Sequence, residues 1–511
     1  MPRLPLLTEP FVGSHLFRQL QTLSTIEAYA NQGVDLLRPR TNYMAYPGHL
    51  LLEFPLFQAI AASLSNFLKQ EPLVVTRILN LLIGLLSAGV LYGIARHYYD
   101  SSAALIVAFA FLITPLNLMY HVSTLTDPTA VLAVLVATNA YLHLTKPHAS
   151  FRWVWPFFAA LVVSVLIKPL YLLPLALMVM AEFSTALIKE KSMWCGFAGW
   201  LNHRKAVWIP LTFALVVMIG WLNASSLLSS GQDVTSHLGW SALRNPSFYI
   251  TITLRYLFYI QTPIALLFTM LGWIWLRGNT PNNRMHWWVF ALLPCIYYLL
   301  FANINRPHDY YSLILVPFVA LASGGGMQWL LETARTHANK VTAAIAITSF
   351  LLGSFLYLCN YWLTPNTRNR YSELAATSQG LLQPYGWSLV LVDRDGPFEL
   401  NEYLGESRRD IVAAKLGLLD ETMVRRNTLP VYEPAILYAL QQQYGEVIWF
   451  RGDIDLEWLN TRIEAYQGNL QHIIVYMASD PALVRSRMGG YPSVYDDEKL
   501  LIYQALKQGL E

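Results

Sequence analysis

The chain has 511 residues, of which 55% are apolar and only 13% charged, with a formal net charge of +3. A soluble protein of this size carries nearly twice that charge fraction, so an all-soluble fold is excluded. The basic residues lie in short loops rather than on one face, which argues against a nucleic-acid partner.

Charge is unevenly spread. Residues 364–511 hold 14 Lys and Arg against 20 Asp and Glu, a net of −6, whereas the part upstream is basic and sparsely charged. Three regions follow: an N-terminal stretch, 1–72; a multi-span stretch, 73–363; and a C-terminal soluble domain, 364–511. Cys195, Cys295 and Cys359 lie in or beside apolar runs without metal-like spacing, so packing roles are expected.

From His15 to Gln32 the residues Leu16, Leu20, Leu23, Ile26 and Tyr29 recur at helical steps, which predicts an amphipathic helix along the membrane interface. Gly33 ends it, and a loop with Pro39 and Pro47 leads to a second such stretch, Leu50–Leu68. About ten spans follow, near 73–95, 102–120, 128–145, 153–167, 170–187, 206–223, 261–276, 287–303, 311–331 and 341–363. Alternate loops carry eleven basic residues, from Arg96 to Lys340, whereas the opposite loops hold Lys168, Arg244, Arg255 and Arg306. That bias puts the N-terminus and the C-terminal domain outside the cytoplasm. Since residues 1–72 contain no segment to carry them across, a first transmembrane helix is expected upstream of Met1; in-frame apolar codons there would support this. Beyond Leu363, buried strands are expected at 387–392, 447–450 and 472–477, with helices near 372–383, 418–426, 432–443, 455–466 and 481–487. This alternation predicts a small α/β domain.

The outward polar residues are the candidates for chemistry. Asp127 precedes Pro128 where a span begins; it reads either as a helix cap or as a carboxylate able to act as base or metal ligand. Glu53 sits among large apolar residues and reads as a base, ligand or hydroxyl anchor facing a pocket, or as a surface acid. Lys168-Pro169 breaks an apolar hairpin at its outer turn; the lysine either snorkels or holds a phosphate. Arg306-Pro307-His308-Asp309-Tyr310-Tyr311 offers a cation, an imidazole and phenols, or an aromatic interface belt. His15, Arg18 and Gln19 crowd the first helix, and some of them must point away from its wet face. Asp393-Arg394-Asp395 and Asp453-Ile454-Asp455 are acid-x-acid triplets of low specificity. Gly324-Gly325-Gly326 reads as a close helix contact, and neither a P-loop nor a zincin motif is present.

These features resemble the membrane-embedded GT-C glycosyltransferases that use polyprenyl-phosphate sugars, the superfamily of protein O-mannosyltransferases and lipid A aminoarabinose transferases (glycosyltransferase family 39-like). The resemblance covers roughly residues 13–363 and rests on Phe54-Pro55-Leu56 with Glu53, on Asp127-Pro128, on Lys168-Pro169 and on the Tyr-rich late loop. It implies a GT-C-like helical bundle in the plasma membrane that transfers a sugar from a polyprenyl-phosphate donor to a lipid, glycan or protein acceptor outside the cell. It also implies catalytic roles for Asp127, Glu53 and His15, and substrate contacts from Arg18, Gln19, Lys168, Arg255, Arg306, His308, Tyr310 and Tyr311. No cofactor is specified, and a divalent metal is left open. One departure stands out. Family members open the first loop with an acid, whereas this chain reads Ser14-His15-Leu16-Phe17-Arg18-Gln19. His15 would then accept the proton, or Asp127 and Glu53 would share that work, or transfer activity would be lost. The rival readings are a flippase or transporter for a lipid-linked sugar, and a polymerase or ligase of surface polysaccharide.

Overall fold

The structure, a computed structural model, describes residues 15–41, 49–146, 150–189, 199–228, 239–276, 281–334, 387–393, 444–450, 454–466, 469–476, 480–497 and 500–505, with Leu7, His148, Leu381 and Leu382 besides. It divides into two compact units: residues 1–8 with 76–364, and residues 9–75 with 365–511. The expected span 341–363, the helices 418–426 and 432–443, nearly all of 372–383, Cys195, Cys359, Asp395 and Asp453 lie outside the described residues.

The first unit is helical. After α1 (Leu16–Gln32) and α2 (Leu56–Leu68), which belong to the second unit, come α3 (Pro72–Ala95), α4 (Ser101–Ile113), α5 (Pro115–Tyr120), α6 (Asp127–Leu144), α7 (Val154–Ile167) and α8 (Leu173–Lys189). They are followed by α9 (Lys205–Leu228), α10 (Pro246–Arg255), α11 (Pro263–Trp275), α12 (Pro281–Leu300) and α13 (Leu315–Thr333). Among the described residues four helices are long and apolar enough to cross a membrane, or five if one bent pair counts as a single span. That pair, Pro246–Ile260 and Ala265–Trp275, turns through 83°. Its first arm carries Arg255, which the sequence placed in one of the opposite loops. Thr114-Pro115 divides the stretch expected as one span at 102–120, because proline lacks the N–H that would continue the helix.

Helix α13 is nearly enclosed, with 89% of its apolar window buried, and it packs on α11, α12 and α4. The three glycines explain how. A Cβ on Gly326 would lie 2.0 Å from the Phe268 carbonyl oxygen, and one on Gly325 would meet the Gly272 Cα at 3.2 Å. Small residues let backbones approach where lipid supplies no hydrophobic drive. Trp287 Nε1 then donates to the Ala322 carbonyl at 2.9 Å, tying α12 to the same helix. Cys295 departs from the expected packing role: it is exposed on α12.

In the second unit α1 packs on α2. The expected wet face of α1 is absent, since every residue from Gln19 to Tyr29 is buried. Its polar side chains tolerate this by bonding within the helix. Thr22 donates to the Arg18 carbonyl, and Ser24 and Thr25 to the Gln21 carbonyl. Helix α2 keeps an amphipathic character, with Phe57 and Ala61 buried and Phe67 exposed.

The C-terminal residues build a five-stranded sheet in the order β2-β1-β3-β5-β4. Strand β1 (Trp387–Asp393) runs parallel to β2 (Tyr444–Phe450) and β3 (Leu470–Tyr476); β5 (Leu500–Gln504) is antiparallel to β3 and to β4 (Ser493–Asp496). Leu389, Leu391, Ile473 and Val475 of one face pack with Leu459 of α14 (Leu456–Ala465) and Val484 of α15 (Pro481–Arg487). Asp455 caps α14, accepting from Glu457 N and Trp458 N, which accounts for the acid of that triplet within the described residues.

Candidate active site

The loops at one end of the first unit are organised around Lys168. Ser164 accepts its N–H at 2.8 Å, closing the last turn of α7. Pro169 cannot continue the helix, so the backbone breaks and a 3₁₀ turn, Pro169–Leu172, carries Tyr171 back beneath the lysine. The Lys168 side chain is 5% exposed, and its Nζ lies 3.1 Å from Asp127 Oδ1, itself wholly buried. Asp127 therefore does not cap α6: no side chain bonds at that helix start, and the carboxylate turns to the lysine instead.

Tyr171 shares the same oxygen. Its single hydroxyl proton lies between Asp127 Oδ1 at 2.6 Å and the Tyr310 carbonyl at 2.9 Å, with the carboxylate nearer. Asp127 Oδ2 is buried and makes no hydrogen bond among the described residues. The ammonium also faces two rings, with Nζ 3.9 Å from the Tyr311 centroid and 4.9 Å from that of Tyr310. Such contacts strengthen when water is excluded. His308 completes the aromatic group, 5.2 Å from Tyr310 between ring centroids.

Four phenols hold this late loop. Besides Tyr171, Tyr120 donates to the Asp309 carboxylate, Tyr297 to the Tyr311 carbonyl at 2.9 Å, and Tyr298 to Ser312 Oγ at 2.9 Å. All four tyrosines are buried and act as internal donors, and Tyr310 of the run they hold is buried with them. Arg255 is buried too; its Nη1 donates to the Asn305 carbonyl and its Nη2 to the Arg306 carbonyl at 3.2 Å. A guanidinium at the end of the helical turn Ala302–Asn305 satisfies carbonyls that the turn leaves open. Arg306 follows that turn and is half-buried.

The candidates of the second unit form their own group. Arg18 Nη2 meets Glu53 Oε2 at 2.5 Å and Arg18 Nη1 meets Gln21 Oε1 at 2.5 Å, while Gln58 Nε2 donates to Glu53 Oε1 at 3.3 Å. Gln19 is buried on α1. His15 heads that helix in the left-handed region, at φ 58°, half-buried.

The first-unit set thus unites Asp127, Lys168, His308, Tyr310 and Tyr311, with Arg255 bracing the adjoining turn. The sequence reading missed Tyr171, Tyr120, Tyr297 and Tyr298. Tyr171 alone left a signal, since a residue three after Lys168 on a 3₁₀ turn shares its face. Among the described residues no group of three or more His, Cys, Asp or Glu side chains is placed to hold a metal ion.

Neither a protein-family model nor a curated protein sequence matches the chain. Solved structures do. ArnT from Cupriavidus metallidurans bound to undecaprenyl phosphate superposes with a TM-score of 0.62 at 15% identity, covering 99% of this chain and 96% of that one. The oligosaccharyltransferase AglB from Archaeoglobus fulgidus, in complex with an inhibitory peptide and a dolichol-phosphate, gives 0.53 at 11% identity, covering 90% of this chain and 65% of that one. Long apolar helices and these likenesses agree: the chain has the fold of the membrane-embedded GT-C glycosyltransferases.

Proposed function

We propose that the chain transfers a hexose or pentose from a polyprenyl-phosphate-linked donor to a hydroxyl of a lipid, glycan or protein acceptor. The loop charge bias supports an active site and a C-terminal domain on the outer face of the plasma membrane. The observation that carries the reading is the buried Lys168 ammonium, set at a helix break between Asp127 and the faces of Tyr310 and Tyr311. Undecaprenyl phosphate in the ArnT structure and dolichol-phosphate in that of AglB support a polyprenyl phosphate as the donor's lipid part.

The acceptor oxygen attacks the anomeric carbon, and the bond from that carbon to the phosphate oxygen breaks. The electron pair leaves on the phosphate, where Lys168 stabilises the growing charge, with Arg306 as a second donor. Asp127 aims the lysine, while Tyr171 keeps Asp127 in place. The acceptor proton passes to a base, for which Asp127 is the candidate within the same unit. A single displacement inverts the anomeric centre.

The test is transfer by the purified chain in nanodiscs, with labelled undecaprenyl-phosphate hexose and pentose offered to lipid and glycan acceptors. Lys168→Met should lower transfer by about 10²–10³-fold, the usual effect of removing one charge-stabilising donor. Full activity of Lys168→Met in a correctly folded protein would remove the assignment. Movement of the labelled lipid across a vesicle without transfer would replace the enzyme with a flippase, and a growing glycan ladder would point to a polymerase.

A further inference from the structure

Helix α6 carries a second cluster at its far end, about 24 Å along the axis from Asp127 at ~1.5 Å per residue. The His97 ring meets the His143 ring edge-on, with centroids 4.9 Å apart. The His143 ring in turn lies flat on Trp153, with centroids 4.0 Å apart and planes within 2°. The Arg152 guanidinium stands 5.7 Å from the Trp153 centroid, and Lys146 is exposed beside the pair.

The charges acting here share one sign. Lys146 and His143 act on His97, Lys146 and Arg152 act on His143, and Asn139 is the neutral polar neighbour of His97. Of the charged residues nearest in sequence, Arg96 donates to the Tyr99 carbonyl, and Asp100 caps α4 through the Ala103 N–H. Burial first, then Lys146, pushes His97 down to about 4, so it is neutral at physiological pH. Phe151 and Trp155, 70% and 66% exposed, flank the cluster. Exposed rings at the end of a membrane helix belong at headgroup level, where anionic lipids also lie.

We propose that His97, His143, Lys146 and Arg152 bind the phosphate of an anionic lipid headgroup, in the leaflet opposite the candidate active site, and that the imidazoles take up a proton as it binds. Two fixed cations supply charge-assisted hydrogen bonds to the phosphate oxygens. An anion among the imidazoles favours their charged form, reversing the effect of Lys146 and Arg152. Binding therefore tightens as the pH falls, by up to about tenfold per pH unit for each proton taken up. The inference stands apart from sugar transfer, because it concerns the other end of the helices.

The experiment uses the full chain in detergent, titrated with short-chain phosphatidylglycerol, phosphatidylcholine or inorganic phosphate and read by native mass spectrometry and thermal shift. Phosphatidylglycerol should bind, and bind more tightly at about pH 5.5 than at about pH 7.5, around the range where imidazoles titrate. The exposed double variant Lys146→Gln/Arg152→Gln should fold normally and lose most of that affinity, whereas His97→Asn should flatten the pH dependence. Equal binding of phosphatidylcholine, unchanged binding by the double variant, or a pH-independent wild type would overturn the proposal. Inorganic phosphate binding as tightly as phosphatidylglycerol would overturn the lipid as its source.

Discussion

Lys168 Nζ lies 3.1 Å from Asp127 Oδ1, and neither side chain has meaningful access to water. Two buried charges of opposite sign hold each other in place, and each becomes a liability without the other. Removing one partner of such a pair costs about 3–5 kcal/mol. Asp127→Ala should therefore lower the unfolding midpoint sharply, as should Lys168→Ala. The apolar double variant Asp127→Leu/Lys168→Met should recover most of the stability and none of the transfer. Thermal unfolding in nanodiscs alongside a transfer assay checks this; a double variant no more stable than either single one would contradict the pairing.

Tyr171 tests whether the carboxylate needs its phenol. Tyr171→Phe preserves the ring and removes the proton shared by Asp127 Oδ1 and the Tyr310 carbonyl. A buried acceptor stripped of its donor costs about 1–3 kcal/mol. Transfer should fall with stability, and kcat should fall more than KM rises if the loss is one of alignment. A variant with wild-type stability and rate would show that Lys168 alone positions Asp127.

Glu27 sits on the enclosed helix α1, where burial first and the charge of Glu71 second push its carboxyl up to about 8. The folded chain then holds a proton that the unfolded chain releases near 4.5. Linkage gives the sign: stability falls as pH rises from the unfolded value through about 8, and levels off above it. Glu27→Gln should flatten that slope and raise the midpoint most at alkaline pH. Parallel curves for variant and wild type across the range would show that Glu27 titrates normally.

Gly326 tests the close contact of α11 and α13. Its missing Cβ would lie 2.0 Å from the Phe268 carbonyl oxygen, an atom that can move only with its helix. Overpacking of this kind costs about 1–3 kcal/mol, and backbone opposition puts Gly326→Ala at the upper end. Gly89→Ala is the control, since nothing lies within 4 Å of a Cβ there. Equal midpoints for the two variants would mean that the helices separate freely.

Much of the architecture was legible because membrane helices announce themselves by length and apolarity. Helices α3, α6, α7, α8 and α9 begin and end within a few residues of the expected spans, and β1, α14 and α15 fall at their predicted places. The pairing of β4 with β5 was not legible, because strands of four and five residues are too short to show a period. Helix α1 misled the reading for another reason. Its periodicity is amphipathic, but periodicity reports only how polar each face is, and not what covers it.

At the site, local sequence determined that Lys168 must stand at a helix break, because Pro169 cannot donate the next hydrogen bond. It determined also that Asp127 opens α6 beside Pro128. What the tertiary structure decided was the pairing. Asp127, Lys168 and Tyr310 belong to three separate segments, and Tyr171 links the first to the third through one shared proton. No local pattern encodes such a contact, because a buried charge takes whichever partner the packing of distant helices brings within reach.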